Sequence, residues 1–243
     1  MSENAPEIIV ALDVPGADEA LTLAEMLTGA TPDDPPWFKV GLELFTAAGP
    51  DMVRELVRRG GRVFLDLKLH DIPATAGRAA TAAAHIGAGM ITLHLSGGEA
   101  MARAVVNAAA DCPAPRPIVL GVTLLTSQGP EDLPPGVNIM NEVINLAQRA
   151  KAWGLDGVVC SGHEAAGVKT ACGRHFLCAT PGIRLAANNG RSGQPDDQRR
   201  VMTPAEATAQ GANFLVLGRP ITRASDPAAA LRLIRAEIAA AQT

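Results

Sequence analysis

Short apolar runs recur along the chain and alternate with longer stretches in which apolar residues return every three or four positions. Consecutive Val, Ile and Leu residues are typical of strands that are covered on both faces, and the longer period is typical of amphipathic helices. The predicted strands cover residues 7–14, 37–42, 62–67, 90–95, 117–123, 157–160, 175–180 and 213–217. The predicted helices cover residues 17–28, 47–59, 73–86, 99–110, 138–153, a short stretch from 164, 204–210 and 227–241.

The order of these elements decides the fold class. Strands that alternate with helices pair in parallel, and eight such units in 243 residues predict an α/β protein with a TIM (β/α)8 barrel. An open doubly wound sheet is the alternative, but it favours a Gly-x-Gly-x-x-Gly turn after the first strand, which residues 13–16 (DVPG) do not match. Because no linker or change in composition divides the chain, residues 1–243 are predicted to form a single domain, with a short N-terminal tail at residues 1–6.

Composition and charge exclude several classes of function. The net charge of −4, the aromatic content of 3% and the absence of tyrosine argue against binding to nucleic acid. No apolar run reaches the roughly 18 residues of a membrane span, and the polar N-terminus is unlike a signal peptide, so we expect a cytoplasmic protein. The four cysteines lack metal-ligand spacing, which predicts reduced thiols and no zinc site.

The most informative segment is residues 65–75, with the sequence LDLKLHDIPAT. Asp66 and Lys68 are two positions apart on a predicted strand, so their side chains leave the same face, and Asp71 follows just beyond the strand. We therefore expect two carboxylates around one ammonium. Burying charge is costly unless partners compensate it, so such a cluster is typical of a chemical site. A structural salt bridge is the alternative for an isolated Asp-x-Lys.

Polar residues follow several predicted strands at the end where TIM barrels carry their chemistry. They are Asp13 at the first strand, Lys39 and Glu43 at the second, Asp66, Lys68 and Asp71 at the third, His94 at the fourth, and Thr126 and Ser127 after the fifth. Because the strands are far apart in sequence, their common position indicates one site at one rim of the barrel.

The ends of the last two strands indicate a phosphate site. Gly182 and Arg184 follow the seventh strand, and Gly218 and Arg219 follow the eighth. Loops at these two places often bind phosphate in barrels, where glycine lets the backbone approach an anion and arginine donates paired hydrogen bonds. Turn glycines and solvated arginines are the alternative. Residues 184–200 form a long polar loop, which we expect to act as a lid.

Taken in this order, the motifs resemble the orotidine 5′-phosphate decarboxylase family. The resemblance runs from Ile8 to about Thr222. It is carried by residues 11–13, 38–41, 66–73, 125–127, 180–184, 197–200 and 217–220. The chain departs from the family pattern at Ala74, where Asn is usual, and in the loop after Arg184, which is longer and lacks the customary proline.

The resemblance implies a homodimer that converts orotidine 5′-phosphate to UMP without a metal or other cofactor. The implied catalytic groups are Lys39, Asp66, Lys68, which protonates C6, and Asp71, which comes from the other subunit. The implied ribose-binding residues are Asp13, Lys39 and Asp71, with Thr75 of the neighbouring chain. Thr126, with Ser127 beside it, is implied to meet the edge of the pyrimidine, and Asp66 is implied to contact the substrate as part of the charged array under the base. Phosphate and lid contacts are implied for Arg184, Gln198, Gly218 and Arg219.

Two other functions stay open at this stage. Ketogulonate-phosphate decarboxylases and hexulose-phosphate synthases share the Asp-x-Lys-x-x-Asp segment but use Mg²⁺ and need a glutamate where this chain has Lys39. Glu43 is a candidate substitute ligand, although it lies further along the chain. A non-catalytic barrel that binds nucleotides is the second alternative, and such a protein would not need Lys68.

Overall fold

A computed structural model describes residues 5–112, 115–185 and 200–242. Its eight strands pair in parallel and in chain order, and the last strand pairs with the first, which closes a barrel. The strands are β1 (Glu7–Ala11), β2 (Trp37–Gly41), β3 (Arg62–Leu69), β4 (Met90–His94), β5 (Ile118–Val122), β6 (Gly157–Val159), β7 (Leu177–Thr180) and β8 (Phe214–Leu217). The prediction of a TIM barrel is confirmed, and the open sheet is wrong.

Helices surround the barrel on its outer face. In the described part of the chain they are α1 (Ala17–Ala30), α2 (Leu42–Ala48), α3 (Pro50–Arg58), α4 (Pro73–His85), α5 (Gly98–Ala110), α6 (Ile139–Ala152), α7 (Gly162–Cys172), α8 (Pro204–Ala209), α9 (Arg219–Thr222) and α10 (Pro227–Ala240). Short 3₁₀ turns lie at Leu95–Gly97 and Pro130–Asp132. None of these helices is long and apolar enough to cross a bilayer.

Several elements differ from the sequence prediction, among them β1, which ends at Ala11 instead of residue 14. The single helix expected at 47–59 is wrong: Gly49 adopts a φ of +68°, which ends α2, and Pro50 then begins α3. β3 continues two residues beyond its predicted end, to Leu69. The short helix α9 was not predicted, although proline in its first turn is a common helix start.

The interior of the barrel contains a plug of apolar side chains. Its members include Ile9, Ala11, Trp37, Phe64, Met90, Leu120, Ala179, Phe214 and Val216. A larger apolar layer lies between the strands and the surrounding helices. Because strand side chains alternate between the two faces, the next inward positions after Ala11, Trp37, Phe64 and Met90 are Asp13, Lys39, Asp66 and Thr92. The polar residues thus follow the apolar plug at the carboxyl end.

The amino end of the barrel carries an aromatic and ionic cluster. The rings of Trp37 and Phe214 meet edge to face at 6.2 Å, and the Arg62 guanidinium lies 4.9 Å from the Trp37 ring centre. Glu7 accepts a hydrogen bond from Trp37 Nε1 at 3.0 Å and pairs with Arg62.

Candidate active site

Lys39 and Asp13 form an ion pair at the carboxyl ends of β2 and β1. Lys39 Nζ lies 2.8 Å from Asp13 Oδ1, and the lysine side chain is only 11% exposed. A Cβ on Gly41 would lie 2.8 Å from that ammonium, so glycine at this position leaves the space that the ammonium needs. Because Gly41 is the register partner of Asp66, the Lys39 ammonium lies level with the start of the Asp-x-Lys segment.

Asp66 and Lys68 form a second ion pair on β3. Lys68 Nζ lies 2.9 Å from Asp66 Oδ2, and the Asp66 side chain is 13% exposed. The other carboxylate oxygen, Oδ1, accepts a hydrogen bond from Thr92 Oγ1 at 2.9 Å. Both oxygens of Asp66 therefore have a partner, which fixes the orientation of the carboxylate beside the Lys68 ammonium.

The backbone of β3 is irregular at this pair. Leu65 pairs with Ile91 and Leu69 pairs with Leu93. Between these two pairs β3 advances by four residues while β4 advances by two. Within this bulge Lys68 adopts a φ of +51°, a conformation that residues with a Cβ avoid. Its N–H donates a hydrogen bond to Thr92 Oγ1 at 2.9 Å. Strained backbone of this kind clusters at active sites, where the surrounding structure holds it in place.

The structure separates Asp71 from the Asp66–Lys68 pair. The Asp71 carboxylate is exposed and accepts a hydrogen bond from the backbone N–H of Ile72 at 2.7 Å. It forms no ion pair with Lys68 among the described residues of this chain. The expectation that two carboxylates of one chain pair with the ammonium is therefore wrong for this chain, because Asp71 is exposed and its carboxylate accepts a bond from the backbone of its own loop. A role for Asp71 in a second subunit stays a prediction.

Two histidine rings stack beside the pair on β3. The centres of His70 and His94 are 5.6 Å apart with an angle of 26° between the ring planes. Ser96 Oγ lies within hydrogen-bond distance of His94 Nδ1, at 2.8 Å. Burial lowers the pKa of His94, and the nearby His70 and Lys68 lower that pKa further because both disfavour a second positive charge.

Arg200 connects the loop after β5 to the start of α7. Its guanidinium pairs with the Glu164 carboxylate and donates to the Leu125 carbonyl at 3.2 Å. Glu164 is 2% exposed and accepts a hydrogen bond from Ser161 N at 2.7 Å. Burial raises the pKa of Glu164, and the Arg200 charge opposes that rise. The same loop carries Thr126, which is half-buried, and Ser127, which is exposed.

The residues predicted to bind phosphate lie at the ends of β7 and β8. Gly182 has a φ of +81°, and its carbonyl accepts a hydrogen bond from Met202 N at 3.1 Å. Arg184 is half-buried, and Arg219 begins α9 after Gly218. A Cβ on Gly218 would lie 3.9 Å from Asp13 Oδ2, so the end of β8 lies beside the Asp13–Lys39 pair. Residues 186–199 of the predicted lid, which include Gln198, lie outside the described residues.

The described residues contain no cluster of three or more His, Cys, Asp or Glu side chains that could hold a metal ion. Glu43, the candidate substitute ligand, is exposed in the first turn of α2. The four cysteines are free thiols, as predicted: Cys160, Cys172 and Cys178 are buried and Cys112 is half-buried.

Thr92 is the residue of this site that the sequence analysis missed. It is 1% exposed and contacts both Asp66 and Lys68. It could have been predicted from the alternation of side chains along β4, which places Met90, Thr92 and His94 on the same inward face. A lone threonine within an apolar strand carries no chemical signal until the neighbouring strand is placed beside it.

Fold and site together define a class: a TIM barrel whose charged side chains follow the apolar plug at the carboxyl ends of the strands. Comparison with known proteins identifies the family within this class. A sequence model of the orotidine 5′-phosphate decarboxylase / HUMPS family matches residues 6–234. The chain belongs to this family, so the resemblance found in the sequence is confirmed.

Relatives extend over nearly the whole chain. An orotidine 5′-phosphate decarboxylase of Nitratidesulfovibrio vulgaris (strain DP4) is 51% identical over 238 residues, which cover 96% of this chain and 98% of the relative. The Sodalis glossinidius enzyme of the same name is 46% identical, with 95% and 89% covered. The crystal structure of orotidine 5′-phosphate decarboxylase from Lactobacillus acidophilus superposes with a TM-score of 0.81 at 36% identity, covering 96% of this chain and 99% of the other.

Proposed function

We propose that this protein decarboxylates orotidine 5′-phosphate to UMP, a step of pyrimidine biosynthesis, as a single-domain enzyme of the cytoplasm. The observation that carries the proposal is the presence of two ion pairs, Lys39–Asp13 and Lys68–Asp66, directly beyond the apolar plug of the barrel. Membership of the family and the names of relatives at 51% and 46% identity support the same reaction.

Lys68 is the group proposed to act on the reacting carbon. When the bond between C6 and the carboxylate breaks, CO₂ leaves and the electron pair stays on C6, with no adjacent carbonyl to accept it. An ammonium beside C6 stabilises this carbanion and then protonates it. Lys68 becomes neutral in that step and recovers its proton from solvent. The pairing of its Nζ with Asp66 at 2.9 Å supports the role, because it fixes the position of the ammonium.

Asp66 has a second proposed role in the ground state. If the substrate carboxylate lies about 4 Å from the Asp66 carboxylate, the two negative charges repel by about 4 kcal/mol at an effective dielectric constant near 20. The repulsion disappears as CO₂ departs, which favours the transition state over the bound substrate. Binding of the distant phosphate offsets the cost of bringing the two carboxylates together.

The remaining contacts are proposed from the positions of the residues around the rim. Asp13 and Lys39 bind the ribose hydroxyls, and Thr126 with Ser127 meets the edge of the base. The phosphate is bound by Arg184, Gln198, Gly218 and Arg219. The closeness of Gly218 to Asp13 supports this assignment, because ribose and phosphate are adjacent in the substrate.

The proposed enzyme is a homodimer in which Asp71 and Thr75 complete the site of the neighbouring subunit. Support comes from the exposure of this part of the rim. Residues 71–74 are exposed, with Ile72 67% exposed, and Leu42 at the start of α2 is 58% exposed. These two large apolar side chains give a second subunit apolar surface to cover.

The proposal favours a metal-independent reaction over the Mg²⁺-dependent sugar-phosphate chemistry of related barrels. The position that would supply a carboxylate ligand on β2 carries the ammonium of Lys39, and a cation at this place repels Mg²⁺. Glu43, the candidate substitute ligand, is exposed in the first turn of α2.

Absorbance of orotidine 5′-phosphate during incubation with the purified chain tests the proposal. We expect the pyrimidine absorbance to change as UMP forms, at the same rate with and without EDTA. Loss of the activity in EDTA, restored by Mg²⁺, would favour the sugar-phosphate type of site. Binding of UMP without turnover of orotidine 5′-phosphate would favour the non-catalytic barrel.

A further inference from the structure

Thr92 is buried between the two residues that form the ion pair on β3. Its hydroxyl donates a hydrogen bond to Asp66 Oδ1 at 2.9 Å, and its oxygen accepts one from the backbone N–H of Lys68, also at 2.9 Å. A threonine hydroxyl has one proton to donate and two acceptor sites, so it can serve both partners at once. One hydroxyl on β4 therefore links the carboxylate of Asp66 to the backbone that carries the Lys68 ammonium.

The backbone at Lys68 needs such a partner. The ladder between β3 and β4 skips residues 66–68, because Leu65 pairs with Ile91 and the next pair is Leu69 with Leu93. Lys68 has a φ of +51°, which a residue with a Cβ keeps only when its surroundings hold it. Removal of the Thr92 oxygen would leave the Lys68 N–H without this hydrogen bond. The backbone at Lys68 could then relax from the left-handed conformation to a more common one.

We propose that Thr92 is a positioning residue for the decarboxylation. Its hydroxyl fixes both Asp66 and the bulged backbone of Lys68, so that the ammonium is held at one place facing C6 of the substrate. This inference rests on the proposed function. Thr92 is not among the groups proposed to bind ribose or phosphate, so its effect belongs to the chemical step rather than to substrate binding.

Replacement of the hydroxyl by a methyl group tests the inference. In Thr92→Val the side chain keeps its shape and loses both hydrogen bonds, so the ammonium can move. Because a displacement of about 1 Å of a reacting group lowers a rate on the order of 100-fold, we expect a fall of this size in kcat. We expect KM for orotidine 5′-phosphate to stay within about threefold, since phosphate and ribose contacts are unchanged. Thr92→Ser keeps a hydroxyl and should restore kcat to within about threefold of the wild type.

Thr31→Val is the matched control for stability. Thr31 is also buried, at 8% exposure, and its hydroxyl donates to the Leu27 carbonyl at 2.8 Å, at the end of α1. The control should lower the melting temperature, by less than Thr92→Val because one hydrogen bond is lost instead of two, and leave kcat unchanged. Should Thr92→Val fail to fold, Thr92→Ala is the second variant without a hydroxyl.

Several results would overturn the inference. A wild-type kcat in Thr92→Val, a rise in KM alone, or a Thr92→Ser variant as slow as Thr92→Val would each contradict a positioning role for the hydroxyl. These results are distinct from failure of the proposed function, which would be seen as absence of turnover in the wild-type chain and would remove both proposals together.

Discussion

At the scale of single residues, the site arises from the alternation of side chains along a strand. Lys39, Asp66 and Thr92 each follow an apolar interior residue by two positions, so the same face that fills the barrel also carries the polar groups at its end. The shared face of Asp66 and Lys68 could be predicted from their spacing. The left-handed backbone of Lys68 could not, because it depends on the bulge against β4.

The lowered pKa of His94 predicts how stability depends on pH. Because burial, His70 and Lys68 all disfavour the imidazolium, the folded state binds this proton less readily than the unfolded state, in which the ordinary value is 6.5. Stability contributed by neutral His94 is therefore present above that value and is lost as pH falls below it.

The measurement compares the wild type with His94→Gln by urea unfolding between about pH 7.5 and pH 5. We expect the free energy of unfolding of the wild type to fall more steeply towards low pH than that of the variant. Parallel curves for the two proteins would contradict the assignment of this titration to His94.

At the scale of elements, Gly49 separates α2 from α3. Its φ of +68° and ψ of −168° are accessible almost only to glycine, and a Cβ there would meet nothing within 4 Å. Gly49→Ala should therefore lower the free energy of unfolding by about 1–3 kcal/mol through backbone strain alone.

Gly29→Ala is the matched control for that prediction. Gly29 lies within α1 in exposed helical backbone, and a Cβ there also meets nothing within 4 Å. Here the same substitution should raise the free energy of unfolding by about 0.5–1 kcal/mol. Equal effects of the two substitutions in urea unfolding would contradict the role of Gly49 as the break between the helices.

The strands could be predicted because each contains a short continuous apolar run, and most helices because they are long enough to show several turns of apolar spacing. The break at Gly49 was missed because apolar residues continue with helical spacing on both sides of it. The four residues of α9 are too few for any period to be recognised, although proline follows Arg219 directly. The extension of β3 was missed because Leu67 and Leu69 continue the strand through charged residues.

At the scale of the whole molecule, the closed barrel could be predicted from the number of strand–helix units, whereas the proposed homodimer could not. Among the described residues of one chain Asp71 forms no ion pair with Lys68, and the proposal takes this carboxylate from a second subunit. The sequence could not reveal this separation, because Asp71 lies only three residues beyond Lys68 and the direction of the loop is set by packing.

Mixed dimers test the proposal that Asp71 acts in the neighbouring subunit. Lys68→Ala and Asp71→Asn homodimers should each be nearly inactive. When the two chains are co-expressed, half of the dimers combine them, and each mixed dimer has one intact site, so activity should recover to about a quarter of the wild type. Absence of recovery in dimers that are confirmed to be mixed would contradict sharing of the site.

If the Lys68 ammonium, held by Asp66, stabilises and protonates C6, its removal should abolish most of the turnover. We therefore expect kcat for orotidine 5′-phosphate to fall on the order of 10⁴-fold or more in Lys68→Ala relative to the wild type. Lys151→Ala, which removes an exposed lysine of α6, should match the wild type. Turnover by Lys68→Ala at the wild-type rate would show that Lys68 does not act on C6.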